Sequence, residues 1–523
     1  MFGADIEGIL LHEEFGVNRP FVKCLSISFL TLWLAAFAAD AKAQDDGLQF
    51  HVSFTRDYAR KAKTGTIYLL VSKDLNGEPR THMARGSFDG FIFRRTITDL
   101  KTDEAVIFNW ESLGYPGPLA LVKPGRYNVQ ALLDVNQTRS EPGFAHGNGI
   151  SSSRRMQINP KTGGNIEITI EKEVIQPKRD PRYRVHYEHI ESRIVGRQLG
   201  SRFFVEVTVV MPINVLAYPD KVYPIQIWLP DIGENTRNTL KYYQERGLYT
   251  PLAGKIGEFG KEFIFILLNT TCRNGYHGWT DSQNNGSFRK ALYEEILPVL
   301  KERFPIADGQ ESRFLVGKGA GGLAALNLLA NRPDFYAGAW ALAPDPVDFH
   351  DFYGLDLYAE PLANAFKVGD LERPLVRHAG KAIVTMKQQV RFENVVKSGN
   401  LLQSYDASFG ERGADLRPKP LIDARTGKIN PKAAARFRKR DFANTLRTNW
   451  ATLGSKIQSK INIIVGDQDD FYLHRPVTRL KAFLDEKNAK ANITVIPKLD
   501  HKAMNNREIH LKIQADIMKQ WKK

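Results

Sequence analysis

Apolar and polar residues alternate through the first third of the chain. Leu48, Phe50, Val52 and Phe54 are separated by Gln49, His51 and Ser53, the period-two pattern of a strand with one buried face. Residues 67–71 are a continuous apolar run, 127–133 follow the turn pair Pro124-Gly125, and 166–170 alternate strictly after Gly163-Gly164. Short strands divided by Gly and Pro turns predict an all-β, sandwich-like domain over residues 47–175. The polar, proline-bearing stretch 176–182 then reads as a linker. His51, His82 and His146 fall in the β-rich part without metal-ligand spacing.

Beyond residue 183 the rhythm changes. Residues 203–211, 223–229 and 263–268 are apolar strand runs, and Leu292, Ile296, Leu297 and Leu300 recur at helical spacing within 291–304. Further strands are predicted at 314–316, 461–466 and 493–496. Strands alternating with helices predict an α/β domain over 183–523, a mostly parallel sheet flanked by helices. Residues 350–450 separate two late sheet elements and read as an insertion or cap. Tyr353, Phe366, Arg391 and Phe392 within it are candidates for a lid or pocket wall, with an ordinary helical cap as the plain alternative.

The strand at 314–316 runs into Gly317-Lys318-Gly319-Ala320-Gly321-Gly322 and then into the helix-forming Leu323-Ala324-Ala325-Leu326. Strand, tight turn and helix are the setting of a G-x-S-x-G nucleophile turn, with Gly317 first and Gly321 last. The seat of the nucleophile then falls on Gly319, which has no side-chain oxygen. Taken alone, these glycines admit two other readings. Gly317, Gly319 and Gly322 match a G-x-G-x-x-G dinucleotide loop, although the acid in range, Asp334, follows Arg332-Pro333 in a turn instead of ending a strand. They also match simple close packing of a helix on a strand.

The later strands favour the first reading. Asp467-Gln468-Asp469-Asp470 follows the strand at 461–466, and Lys498-Leu499-Asp500-His501 follows the strand at 493–496. That is the nucleophile, acid, base order of α/β-hydrolases. It makes His501 the candidate base and Asp469 its orienting acid.

At 523 residues, with 42% hydrophobic and 25% charged residues, the chain has the composition of a multidomain globular protein. A net charge of +15 favours anionic surfaces or ligands without naming one. The densest basic run, 432–440, lacks aromatic platforms and reads as a solvated helix face, so no nucleic-acid partner is expected. Arg19 and Lys23 precede the short apolar run 24–38 and the small-residue site Ala41-Lys42-Ala43. This predicts a cleaved secretory signal over 1–43, a periplasmic or secreted protein, and no membrane span after cleavage, with a retained anchor as the alternative. The acidic residues 1–16 fit no signal start and suggest a mis-assigned initiation site. Cleavage would leave Cys272 as the one cysteine, read as a buried residue and not a nucleophile. No cofactor or metal is expected, and the oligomeric state is left open.

Several motifs carry a specific resemblance: LGYPGPL at 113–119, DSQNNG at 281–286, PDPVDF at 344–349, NWATLG at 449–454 and GDQDDFYL at 466–473. With them the chain resembles the esterase family related to esterase D and enterochelin esterase, above all its larger secreted bacterial members with a β-rich N-terminal domain. The resemblance implies an α/β-hydrolase fold, a carboxylic-ester substrate, Asp469 as triad acid and His501 as base. Family members read G-H-S-x-G-G where this chain has 317–322, so Gly319 stands in place of the nucleophile and Lys318 in place of the usual histidine. Asp231, in Pro230-Asp231-Ile232-Gly233, stands where a glycine-rich turn would help form the oxyanion hole. Ala320, Asp281 and Ser282 are expected beside it around the pocket.

The resulting expectation is an esterase homologue with impaired or absent catalysis that binds a small ester-like, acyl or glycan ligand. The alternatives are an active hydrolase using water or a non-standard nucleophile with His501 and Asp469, and a non-catalytic structural or protein-binding module.

Overall fold

The computed structural model describes residues 47–83, 88–136, 138–175, 184–213, 215–234, 236, 262–397, 399–504 and 506–522. The expected signal segment at 1–43 and the expected linker at 176–182 lie outside the described residues.

The alternating N-terminal segments become nine strands: β1 (Gln49–Phe54), β2 (Lys63–Ser72), β3 (Gly90–Leu100), β4 (Val106–Phe108), β5 (Gly114–Tyr115), β6 (Gly125–Asp134), β7 (Gly149–Ser151), β8 (Arg154–Ile158) and β9 (Asn165–Glu173). They form one hydrogen-bonded sheet in the order β4-β1-β9-β7-β6-β2-β3-β5, with β8 also paired to β6. One cluster gathers Phe50, Val52 and Phe54 from β1 with Ile67, Leu69 and Val71 from β2, strands far apart in that order. The sheet therefore folds over its own core, as sandwich-like packing requires. The other face of β2 is buried too. Tyr68 and Leu70 join Ile92, Leu132 and Ile150 against Phe392 and Val396 of the second domain. The continuous apolar run at 67–71 reflects this burial on both faces.

The second sheet comprises β10 (Val185–Glu191), β11 (Phe204–Val210), β12 (Ile225–Leu229), β13 (Ile264–Leu268), β14 (Arg313–Gly319), β15 (Gly338–Pro344), β18 (Ile461–Gly466) and β19 (Asn492–Ile496). Its order is β10-β11-β13-β12-β14-β15-β18-β19. The β10–β11 and β11–β13 pairs are antiparallel. Every later pair is parallel. Helix α1 (Ala320–Asn331) follows β14 directly. The expected helix at 291–304 begins earlier, at Phe288, and passes through a π segment at Leu292–Ile296.

The 350–450 region supplies a hairpin, β16 (Pro374–His378) and β17 (Lys381–Thr385), and helices α2 (Met386–Val396), α3 (Leu401–Phe409), α4 (Pro431–Arg438) and the start of α5 (Phe442–Ile457). Of the four candidate wall residues, Tyr353 faces a cavity, Phe366 is core, Phe392 faces the β-rich domain and Arg391 is exposed. The basic run at 432–440 is only partly a solvated face. Lys432, Arg436 and Lys439 are exposed, but Arg438 donates to the Leu357 carbonyl and Arg440 to the Asp281 carbonyl. The chain is completed by α6 (His474–Glu486) and α7 (Arg507–Trp521).

Candidate active site

The site lies at the carboxyl ends of the parallel strands, where open α/β sheets place their ligands. At the end of β14 the chain turns sharply into α1. Gly319 has φ 54° and ψ −124°, the strained geometry of a nucleophile turn. Glycine adopts it without the steric penalty another residue would meet. Gly321 permits the close helix–strand approach, since a Cβ there would lie 2.0 Å from the Leu229 carbonyl oxygen.

The space a side chain at residue 319 would fill is occupied. A Cβ built on Gly319 would lie 2.3 Å from both carboxylate oxygens of Asp231. Asp231 sits in the turn after β12, and its Oδ1 accepts the N–H of Ala320 at 2.9 Å and of Ile232 at 2.8 Å. One donor follows the nucleophile seat and the other belongs to the turn after a neighbouring strand, which is the donor pair of an α/β-hydrolase oxyanion hole. Asp231 thus fills both the nucleophile's space and the hole. The N-terminal end of α1 favours a negative charge there.

The other two members of the constellation are in place. His501 Nδ1 is 2.8 Å from Asp469 Oδ2. Asp469 is fully buried, and its Oδ1 accepts the N–H of Phe471 at 2.9 Å and of Leu473 at 3.1 Å. Burial alone would raise its pKa, but the hydrogen bond and charge of His501, with those two N–H groups, hold it below the ordinary carboxylate value. Arg377 of the hairpin donates to the Asp469 and Asp467 carbonyls at 3.2 and 3.3 Å and fixes the acid's loop. The Phe471 ring packs edge-on against His501, with centroids 5.2 Å apart.

Lys318 closes the chain of contacts. Its Nζ is 2.9 Å from His501 Nε2 and 3.7 Å from Asp231 Oδ2. It meets the imidazole nitrogen that would face a seryl hydroxyl. Asp469, His501, Lys318 and Asp231 therefore form one continuous polar array ending on the Ala320 and Ile232 N–H groups.

Above the array lies a cavity of about 410 Å³. Its floor carries Asp231, Glu234, Asp345 and His501, and its walls carry Tyr353, Leu375, Val376, Ile383, Val384, Leu401 and Phe471. Burial, followed by the charge of Asp231, pushes Glu234 above its ordinary value. The same two causes in the same order push Asp345 up to about 7, against a hydrogen bond from the Tyr405 hydroxyl. Both acids thus hold protons more readily than free carboxylates, which limits the negative charge beside Asp231.

Gly319, Lys318, Ala320, Asp231, Asp469 and His501 come together. Asp281 and Ser282 do not line this cavity. They pair as a short strand with Gly286–Ser287, where Ser282 Oγ accepts the Asn285 N–H at 2.9 Å. The Asp281 carboxylate is bound to Arg289 at 3.2 Å and to the Lys290 N–H at 3.1 Å, so local turn bonds consume both groups. Sequence reasoning missed Glu234 and the hairpin walls. Leu375-Val376 and Ile383-Val384 are two adjacent apolar pairs without alternation, and no strand was expected there. Among the described residues, His378, Asp470 and Asp500 bring ligand atoms within 4.8 Å of one another near the turns carrying Asp469 and His501, with His378 exposed.

The family model described as "Putative esterase" matches residues 270–418, which include the turn and the hairpin but not Asp469 or His501. The match spans 149 of the 523 residues, all within the α/β part of the chain. Among solved structures, a ferulic acid esterase is 14% identical to the chain, covering 64% of it and 97% of the other chain at a TM-score of 0.42. The S-formylglutathione hydrolase FrmB of Staphylococcus aureus is also 14% identical, covering 64% and 99% at 0.37. An IroE-like serine hydrolase from Shewanella oneidensis is 11% identical, covering 64% and 80% at 0.35. No curated protein matches the sequence. Among the described residues no helix is long and apolar enough to cross a membrane.

Proposed function

We propose that this protein is an exported esterase-family homologue, periplasmic or secreted, that has lost serine-type acyl transfer and holds a small ester-like, acyl or glycan ligand in its cavity. The observation that carries this reading is the Asp231 carboxylate in the hole, 2.3 Å from where a side chain of residue 319 would begin. Acyl transfer needs a nucleophilic oxygen at that turn and a vacant pair of N–H donors for the developing oxyanion. One such donor is typically worth about 10²–10³ in kcat. Here the nucleophile is missing and both donors are engaged by an anion. The walls at Leu375, Val376, Ile383, Val384 and Leu401 suit the apolar part of an acyl or aryl group.

The test pairs turnover with binding. The purified protein should release no p-nitrophenol from p-nitrophenyl butyrate above a buffer control, and octanoate should raise its melting temperature in a concentration-dependent way. Brisk release of p-nitrophenol would refute the reading. The intact Asp469–His501 pair favours a second reading, hydrolysis by water or a non-standard nucleophile. That reading requires slow turnover that disappears in His501→Ala.

A further inference from the structure

The hairpin β16–β17 ends against the turns that carry Asp469 and His501. His378 pairs with Lys381 across the two-residue turn Ala379-Gly380, in which both residues are left-handed, with φ 47° and 77°. A turn of this kind is tight and fixes the strand ends on either side of it. Arg377, the residue before His378, donates its N–H to the Asp470 carbonyl at 2.8 Å. Its guanidinium holds the same turn through the Asp469 and Asp467 carbonyls. His378 is thereby brought to Asp470, and Asp500 of the neighbouring turn completes the group. One ligand atom from each of the three side chains lies within 4.8 Å of the other two.

No protein partner accounts for this placement of Asp470. Its Oδ1 is shielded from solvent and accepts no hydrogen bond among the described residues. The other acids of the two turns are committed. Asp467 Oδ1 accepts the Lys498 N–H at 2.7 Å, Asp469 is used by His501 and two N–H groups, and Asp500 Oδ1 accepts the Ala503 N–H at 2.6 Å. A buried carboxylate oxygen without a donor is costly, and a second carboxylate facing it adds repulsion. A cation between them removes both penalties.

The ligand set indicates which cation. Two carboxylates alone would suit Mg²⁺ or Ca²⁺, whereas an imidazole nitrogen favours Zn²⁺ and its transition-metal neighbours. Three protein ligands and an open position for water are an arrangement that zinc accepts. Bonds of about 2.1 Å put tetrahedral ligands about 3.4 Å apart, so the group closes by about an ångström on binding. The exposed ring of His378 has room to make that movement.

We propose that His378, Asp470 and Asp500 bind one divalent cation of the zinc class, which fastens the hairpin to the turns carrying the acid and the base. Leu375, Val376 and Val384 of that hairpin wall the cavity, so the ion stiffens the wall without using the Asp469–His501 pair. This site goes beyond the function proposed above and does not depend on it.

Chelator-treated, tag-free protein should take up one Zn²⁺ per chain in equilibrium dialysis. Its melting temperature should rise with Zn²⁺ concentration, as binding to the folded state requires, and Mg²⁺ at the same concentration should not raise it. His378→Gln and Asp470→Asn should each weaken Zn²⁺ binding by about tenfold or more. In chelator, Asp470→Asn should melt no lower than the unsubstituted protein, because it removes the repulsion with Asp500. With Zn²⁺ present, the unsubstituted protein should melt higher. Hydrogen exchange in 374–385 of the unsubstituted chain should slow when Zn²⁺ is added, a measurement that no misfolded variant can mask. Absence of saturable Zn²⁺ uptake, undiminished uptake by both variants, an equal response to Mg²⁺, or unchanged exchange in the hairpin would each overturn the proposal. None of these outcomes involves octanoate, so the ligand-binding reading survives any of them.

Discussion

Residue 319 and residue 231 have to be read together. Sequence identifies Gly319 as a missing nucleophile and Asp231 as an anion where none is expected. Only the fold shows that the second fills the space vacated by the first. A Cβ at residue 319 would lie 2.3 Å from both Asp231 oxygens. Gly319→Ser should therefore stay inactive on p-nitrophenyl butyrate and lose about 1–3 kcal/mol in urea unfolding, the usual cost of overpacking. Gly319→Ser combined with Asp231→Gly should recover much of that stability and free both N–H donors. Because the residues compete for one volume, the two effects should be strongly non-additive. Equal stability of the single and double variants would contradict this packing. The sequence left the roles of Asp281 and Ser282 open to error, because their motif position says nothing about the hydrogen bonds that consume them.

At the scale of elements, α3 illustrates a buried acid used for anchoring. Asp406 Oδ1 accepts the Leu421 N–H at 2.8 Å, tying the helix to a following loop. Burial, and to a smaller extent the charge of Glu393, pushes its carboxyl up to about 8 against that hydrogen bond. The folded protein thus keeps a proton that the unfolded chain releases above its ordinary carboxylate pKa of about 4. Binding more protons in the folded state makes stability fall as pH rises across that window. Asp406→Asn keeps a neutral acceptor and removes the effect. Its stability relative to the unsubstituted protein should rise with pH by up to about 1 kcal/mol per unit between about pH 4 and about pH 8. Urea melts at about pH 5 and about pH 7 would test this, and a pH-independent difference would refute it. Strands β12, β13, β14 and β18 were legible in the sequence because each carries a short buried apolar run. The hairpin β16–β17 was not, because its large apolar residues stand in two adjacent pairs, Leu375-Val376 and Ile383-Val384, with no alternation.

Across the whole molecule, the two domains meet at α2 of the 350–450 insertion and at β11. The Tyr68 hydroxyl donates to the Val396 carbonyl at 2.6 Å, and Tyr115 packs edge-on against Phe392 with centroids 5.3 Å apart. Arg139 adds an ion pair to Glu206 at 3.2 Å. Phe392 lies on α2, and Gln389 of the same helix borders the cavity. Phe392→Ala should cost about 3–5 kcal/mol, as for other buried phenylalanines. Calorimetry should then resolve the β-rich domain and the α/β domain as separate transitions. A single unchanged transition would show that this contact does not couple them.

The order of strands, the glycine turn, and the acid and base after late strands were all written in local patterns, because periodicity and turn chemistry act over a few residues. They were enough to place Gly319, Asp469 and His501 in one mechanism and to predict both domain classes. The tertiary structure alone decided that Lys318 meets His501, that Asp231 takes the two N–H donors, and that the insertion roofs the cavity with a hairpin. Those contacts join residues separated by 183 and 89 positions. Their energy depends on distances of a few ångströms, which no local pattern encodes.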